Sequence, residues 1–74
     1  MEKDIMLEDV KINFDIYLRA LETALRTQKR EDIVYSCLKY GKFVELKNKY
    51  LDLYGAIDDI DFLQRIYNEV YMER

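Results

Sequence analysis

The chain has 74 residues, half of them apolar and 36% charged, with a formal net charge of −3. That composition belongs to a globular chain and excludes a disordered one. The absence of any run of 18 apolar residues excludes a membrane-spanning helix. There is room for one domain over residues 1–74 and for one small core. Chains of this size bury only about 60% of their unfolded surface, and many gain the missing stability from oligomerisation or a partner.

The charge is unevenly spread. Residues 1–25 hold three basic and six acidic groups, residues 26–50 seven basic and three acidic, and residues 51–74 two basic and six acidic. A basic middle between acidic ends fits helices that attract one another when packed, or a charged partner surface. Cys37 is the only cysteine, which rules out an internal disulfide and fits a reducing compartment. From Glu2 onward charged and apolar residues alternate without a basic leader, so no secretory signal is expected. The expected location is the cytoplasm, or a host cell's cytoplasm for a viral product. The small size and the excess of Ile, Lys, Tyr, Asp and Asn fit an AT-rich genome such as that of a phage or virus.

The first predicted helix covers about residues 4–27. Leu7, Val10, Phe14, Tyr17, Leu21 and Ala24 recur at spacings of three and four, which keeps them on one helical face, and Leu18 and Leu25 widen it. Val10, Ile12, Phe14 and Ile16 also alternate as a half-buried strand would. Asn13 and Asp15 are poor strand residues, however, and no turn separates Ile16 from the helical run that follows. Asp4 is the expected N-cap, its carboxylate accepting from the free amides of the first turn. Ile5, Ile12 and Ile16 fall off the main face; at 100° per residue Ile12 lies about 200° from Val10. They form a second apolar stripe, to be covered by another helix, a second copy of the chain or a partner.

Thr27 to Arg30 is short and polar, suited to a tight connection between antiparallel helices. The second predicted helix, about 31–54, opens with Glu31 and Asp32, where carboxylates oppose the helix dipole. Its expected main stripe is Ile33, Cys37, Tyr40, Val44, Leu51 and Tyr54, with Phe43, Leu46, Tyr50 and Leu53 beside it. Gly41 interrupts the run. Because the apolar pattern resumes at once, the reading is one helix, with Gly41 a kink or a close-packing point. A break there would give four helices. Gly55 is a stronger stop. Asp58 is then the expected N-cap of a third helix over about 58–72, with Ile57 and Phe62 as a hydrophobic staple. Its expected buried face is Ile60, Leu63, Tyr67 and Val70, with Ile66 beside them. Three helices with two short connections make an all-α, small antiparallel three-helix bundle, or a helical hairpin with an arm.

Catalytic chemistry is poorly supplied. The chain has no His, the commonest general base and metal ligand, and with two glycines no phosphate-binding loop. Cys37 is expected on the core stripe, as a small hydrophobe. Asp58, Asp59 and Asp61 lack the glycine and terminal glutamate of a calcium loop, and helix capping accounts for them. No cofactor or metal is therefore expected, and no enzyme. Seven tyrosines are the positive signal, because Tyr joins apolar area to a hydroxyl and is enriched at interfaces. Tyr17, Tyr40, Tyr54 and Tyr67 suit the rim of the bundle, and Tyr35, Tyr50 and Tyr71 an interface.

The expected function is a non-enzymatic protein-interaction module, an adaptor, inhibitor or regulator. Ile5, Ile12 and Ile16 are the candidate self-association or partner surface, with a homodimer the expected state. A second candidate face lies on the second helix. There Tyr35, Lys39, Lys42 and Leu46, with Lys49, Tyr50 and Leu53, fall within about 100° of one another. Lysines on phosphates and rings under bases would let it hold a single-stranded nucleic acid, the alternative function. An acidic protein surface would satisfy it as well.

Overall fold

A computed structural model describes residues 2–69. It is an all-α fold of three helices, α1 (Glu2–Thr27), α2 (Arg30–Tyr54) and α3 (Ile60–Tyr67). The long α1 and α2 form an antiparallel hairpin, and α3 lies along one face of it. Lys3 meets Asp58, Lys11 meets Asp59 and Asp15 meets Arg65. Advancing along α3 thus advances along α1, so the two helices run in the same direction and the bundle goes up, down and up.

The α1 stripe behaves as its spacing predicts. Val10 and Phe14 are fully buried, Ala20 and Ala24 are buried nearer the turn, and Leu7, Tyr17 and Leu18 pack around the core. Leu25 is the exception, exposed beside the turn. Phe14 is the hub. Its ring lies 4.9 Å from Phe43 and 5.8 Å from Phe62, the latter edge-on at 82°. Such pairs contribute about 0.5–1.5 kcal/mol each beyond their area.

α2 rolls differently from its expected stripe. Ser36, Phe43 and Tyr50, seven residues apart, are its buried positions, while Ile33, Cys37 and Tyr40 are exposed. The helix is apolar around more than half its circumference, so spacing alone left two rotations open. The rings decided between them, because turning Phe43 and Tyr50 inward hides more area than hiding Ile33 and Cys37. Near the turn the small side chains Ala20, Ala24 and Ser36 share the buried seam, and the Ser36 hydroxyl donates to the Ile33 carbonyl at 2.8 Å.

Both α1 and α2 end on a residue with positive φ. Gln28 (φ 57°) donates its N–H to Ala24 O at 2.8 Å, and Gly55 (φ 84°) donates to Leu51 O at 2.7 Å. Each closes its helix with a left-handed residue, but only Gly55 advertised it. Thr27 then braces the turn, its hydroxyl donating to Asp32 Oδ2 at 2.6 Å.

Four further expectations need correction. α1 already begins at Glu2, so Asp4 sits inside its first turn and serves the dipole rather than the cap. α2 is one continuous helix through Gly41, as its resumed apolar pattern predicts, and the correction there is only to close packing, since a Cβ would meet nothing within 4 Å. The N-cap of α3 is Asp59, not Asp58: its Oδ1 accepts from the Phe62 N–H at 3.0 Å. α3 also turns Phe62 and Ile66 inward and leaves Ile60, Leu63 and Tyr67 exposed, because Phe62 is drawn onto Phe14. The expected last turn of α3, with Val70 and Tyr71, lies outside the described residues.

Candidate functional site

The hairpin has two broad faces. α3 covers part of one, where Phe62 and Ile66 sit on the core with Val44 and Leu51. Among the described residues no helix lies over the opposite face. There Ile5, Ile12 and Ile16 are exposed, Ile5 at 63%, and their 3.6-residue phase turns them away from Lys11 and Asp15, which face α3.

The two candidate surfaces read from the sequence belong to this single face. Ile16 and Tyr35 line one groove between the helices, with Arg19, Ala20, Thr23 and Asp32. The Phe14–Phe43 contact and the Tyr17–Tyr40 contact at 5.0 Å fix the antiparallel register. In that register Ile12 lies level with Leu46 and Ile5 level with Leu53. The result is two apolar rows across the face, with Leu53 strongly exposed and Leu46 half-buried against the core, and the Ile16–Tyr35 groove nearer the turn.

One member does not belong. Tyr50 is 1% exposed and packs against Tyr54 with ring centroids 4.9 Å apart, so it offers no ring to a partner. Its phase lies nearer the seam than its neighbours', and a large ring close to the seam goes inward. Tyr35 is exposed, with Lys39 Nζ 5.1 Å from its ring centroid. Lys42 and Lys49 are exposed, and Lys42 lies 3.7 Å from Glu45. Of the other tyrosines, Tyr17 and Tyr54 are half-buried and Tyr40 and Tyr67 exposed, as rim positions would be; Tyr71 lies outside the described residues.

Charge divides the open face lengthwise. On α1 it carries the exposed acids Glu2 and Asp9, and on α2 the amines of Lys39, Lys42 and Lys49. Nearer the turn Arg19 on α1 stands level with Lys39 on α2, and Glu31 and Asp32 follow on α2.

The acidic cluster at the start of α3 is structural. Lys11 Nζ lies 2.5 Å from Asp59 Oδ2 and Lys3 Nζ lies 3.4 Å from Asp58. Hydrogen bonds from Lys11 and from the Phe62 amide hold the Asp59 carboxyl below the usual carboxylate range. The same hydrogen bond raises the Lys11 ammonium above the ordinary lysine value. Among the described residues no group of three or more His, Cys, Asp or Glu could hold a metal ion, and no buried polar side-chain atom lacks a partner. None of the described helices is long and apolar enough to cross a membrane.

Sequence reasoning missed Val34 and Leu38, both exposed on the outer edge of α2, Leu38 at 66%. The signal was available: residues 33–38 place apolar side chains on every side of the helix, more than one seam can bury. Cys37 was also misplaced, since its exposed thiol lines a groove with Tyr17, Leu21, Ser36 and Tyr40. Comparison with protein-family models, with curated proteins and with solved structures finds no match to this chain.

Proposed function

We propose that the chain is a non-enzymatic interaction module that presents the open face of its α1–α2 hairpin to another protein, as an adaptor, inhibitor or regulator. The observation that carries this is the exposure of Ile5, Ile12 and Ile16 beside Leu53 and Tyr35 on a face that none of the described helices covers. Contiguous apolar surface of this kind, rimmed by charge, marks interaction sites in soluble proteins. An aromatic anchor with aliphatic neighbours and a polar rim is also how such interfaces are composed. The loss of Tyr50 to the core removes a ring from the lysine-bearing face and weighs against a stacking platform for nucleic acid.

The test compares the wild-type chain with an Ile12→Lys/Ile16→Lys variant, both immobilised and exposed to extract of the native host. Far-UV circular dichroism shows whether helix content is kept. Both side chains are exposed, so the variant is expected to stay folded and to lose the proteins that the wild type retains. Retention of the same proteins by the variant would overturn the reading.

A further inference from the structure

We infer that the middle of the open face receives an acidic amphipathic helix of a partner protein, its aliphatic stripe on Ile12, Ile16 and Leu46 and its carboxylates on Arg19, Lys39 and Lys42. The inference rests on the reading of this face as a binding surface and names the chemistry of its occupant. It is carried by charge. In the register set by the Phe14–Phe43 and Tyr17–Tyr40 contacts, Arg19 stands level with Lys39, so two cations flank the seam at one height. Lys42 follows about one turn along α2. Among the described residues neither Arg19 nor Lys39 meets a carboxylate, and Lys42 reaches only Glu45, at 3.7 Å. The other acids of this face are engaged or distant. Asp32 accepts from the Thr27 hydroxyl at 2.6 Å, Asp9 stands level with Lys49, and Glu31 lies about two helical turns from Lys39.

The other side of the hairpin shows how such a surface is filled. There α3 lays Phe62 and Ile66 on the core and its acidic start brings Asp58 to Lys3 and Asp59 to Lys11. One short helix with apolar residues and carboxylates thus satisfies both the seam and its cations. The open face has the same two ingredients, and none of the described helices lies over them. A single-stranded nucleic acid fits less well. Its phosphates recur at every step, and a strand leaving the patch along α1 would meet Asp9 and Glu2. Ile12, Ile16 and Leu46 also offer its bases no ring to stack on.

The experiment measures fluorescence anisotropy of two labelled peptides, each a designed helix of about five turns. Both carry one leucine stripe, flanked by Glu in the first and by Lys in the second, and labelled oligothymidine serves as a third probe. Wild type is expected to bind the Glu peptide with Kd below about 100 µM, near the weak end of specific association. The Lys peptide is expected to bind at least about tenfold more weakly. Arg19→Glu/Lys39→Glu/Lys42→Glu is expected to invert that preference, and the inversion itself excludes a folding defect. A milder Lys39→Gln/Lys42→Gln variant, its helix content checked by circular dichroism, is expected to bind the Glu peptide several-fold more weakly than wild type. The proposal is overturned if wild type leaves the Glu peptide unbound, binds both peptides equally, or prefers oligothymidine. It is also overturned if both variants keep the Glu peptide undiminished. Capture of extract proteins that depends on Ile12 and Ile16 but not on Arg19, Lys39 and Lys42 would remove the acidic partner alone and leave the proposed binding face standing.

Discussion

The Asp59 carboxylate joins two elements at once: Oδ2 lies 2.5 Å from Lys11 Nζ on α1, while Oδ1 accepts from the Phe62 amide that opens α3. The carboxyl is held below its ordinary range in the folded chain by those two hydrogen bonds. A depressed folded value means stabilisation that is complete above the unfolded carboxylate value, 3.8, and lost as pH falls through the folded value. Asp59→Asn keeps an acceptor at the cap and removes the charge, so its thermal midpoint should fall less steeply than wild type's below about pH 4. Asp59→Ala removes both and should lower the midpoint by several degrees at pH 7. Thermal melts followed by circular dichroism between pH 2.5 and 7, a range chosen to bracket the ordinary carboxylate value, check both; an Asn variant with the wild-type acid slope would refute the linkage.

Gly41 sits exposed within α2, with open space where a Cβ would be. Nothing offsets the backbone entropy that glycine loses in a helix, so Gly41→Ala should stabilise the fold by about 0.5–1 kcal/mol. Urea unfolding curves measure it, and a destabilised variant would show a constraint at this position that its surroundings do not reveal.

The two helix ends make opposite predictions from one geometry. Gly55→Ala forces a Cβ into the left-handed region and should cost about 1 kcal/mol. Gln28→Gly relieves the same strain at φ 57°, partly offset by the freedom glycine adds to the unfolded chain, for a net gain of about 0.5–1 kcal/mol. Measuring the pair in one background decides whether backbone strain governs both ends.

Cys37 is exposed in the groove beside Tyr17 and Tyr40. In native buffer one thiol equivalent should react with a disulfide reagent in a single phase, with no lag for unfolding and no acceleration by urea beyond a few-fold. Slow reaction gated by urea would place the thiol inside the bundle.

What the sequence disclosed follows from how unevenly its signals were spread. On α1 the stripe through Val10, Phe14 and Ala24 is longer than the second one through Ile5, Ile12 and Ile16, and the helix packs on it, with Leu25 the exception. On α2 apolar residues cover most of the circumference, so period alone could not choose between Cys37 and Phe43, and tertiary packing chose by ring size. The same competition turned Phe62 rather than Leu63 inward on α3. The one-residue shift of the cap from Asp58 to Asp59 reflects two adjacent residues of equal capping power, separated only by whether Lys11 can reach. For the open face, Ile5, Ile12 and Ile16 were legible as off-phase residues. Their union with Tyr35 and Leu53 was not, because it depends on a register set by rings on the opposite side of the seam.

Among the described residues α3 is an α-helix of eight residues, too few to persist in water without something to lean on. Its order is therefore lent by Phe14, Lys11 and Asp15, and release of Phe62 from its socket melts the whole segment at once. Amide protons of Leu63 to Tyr67 should then trade with deuterium together, at a rate that reads the undocking equilibrium directly. Those around Val10, Phe14 and Phe43 should wait for the hairpin itself to open.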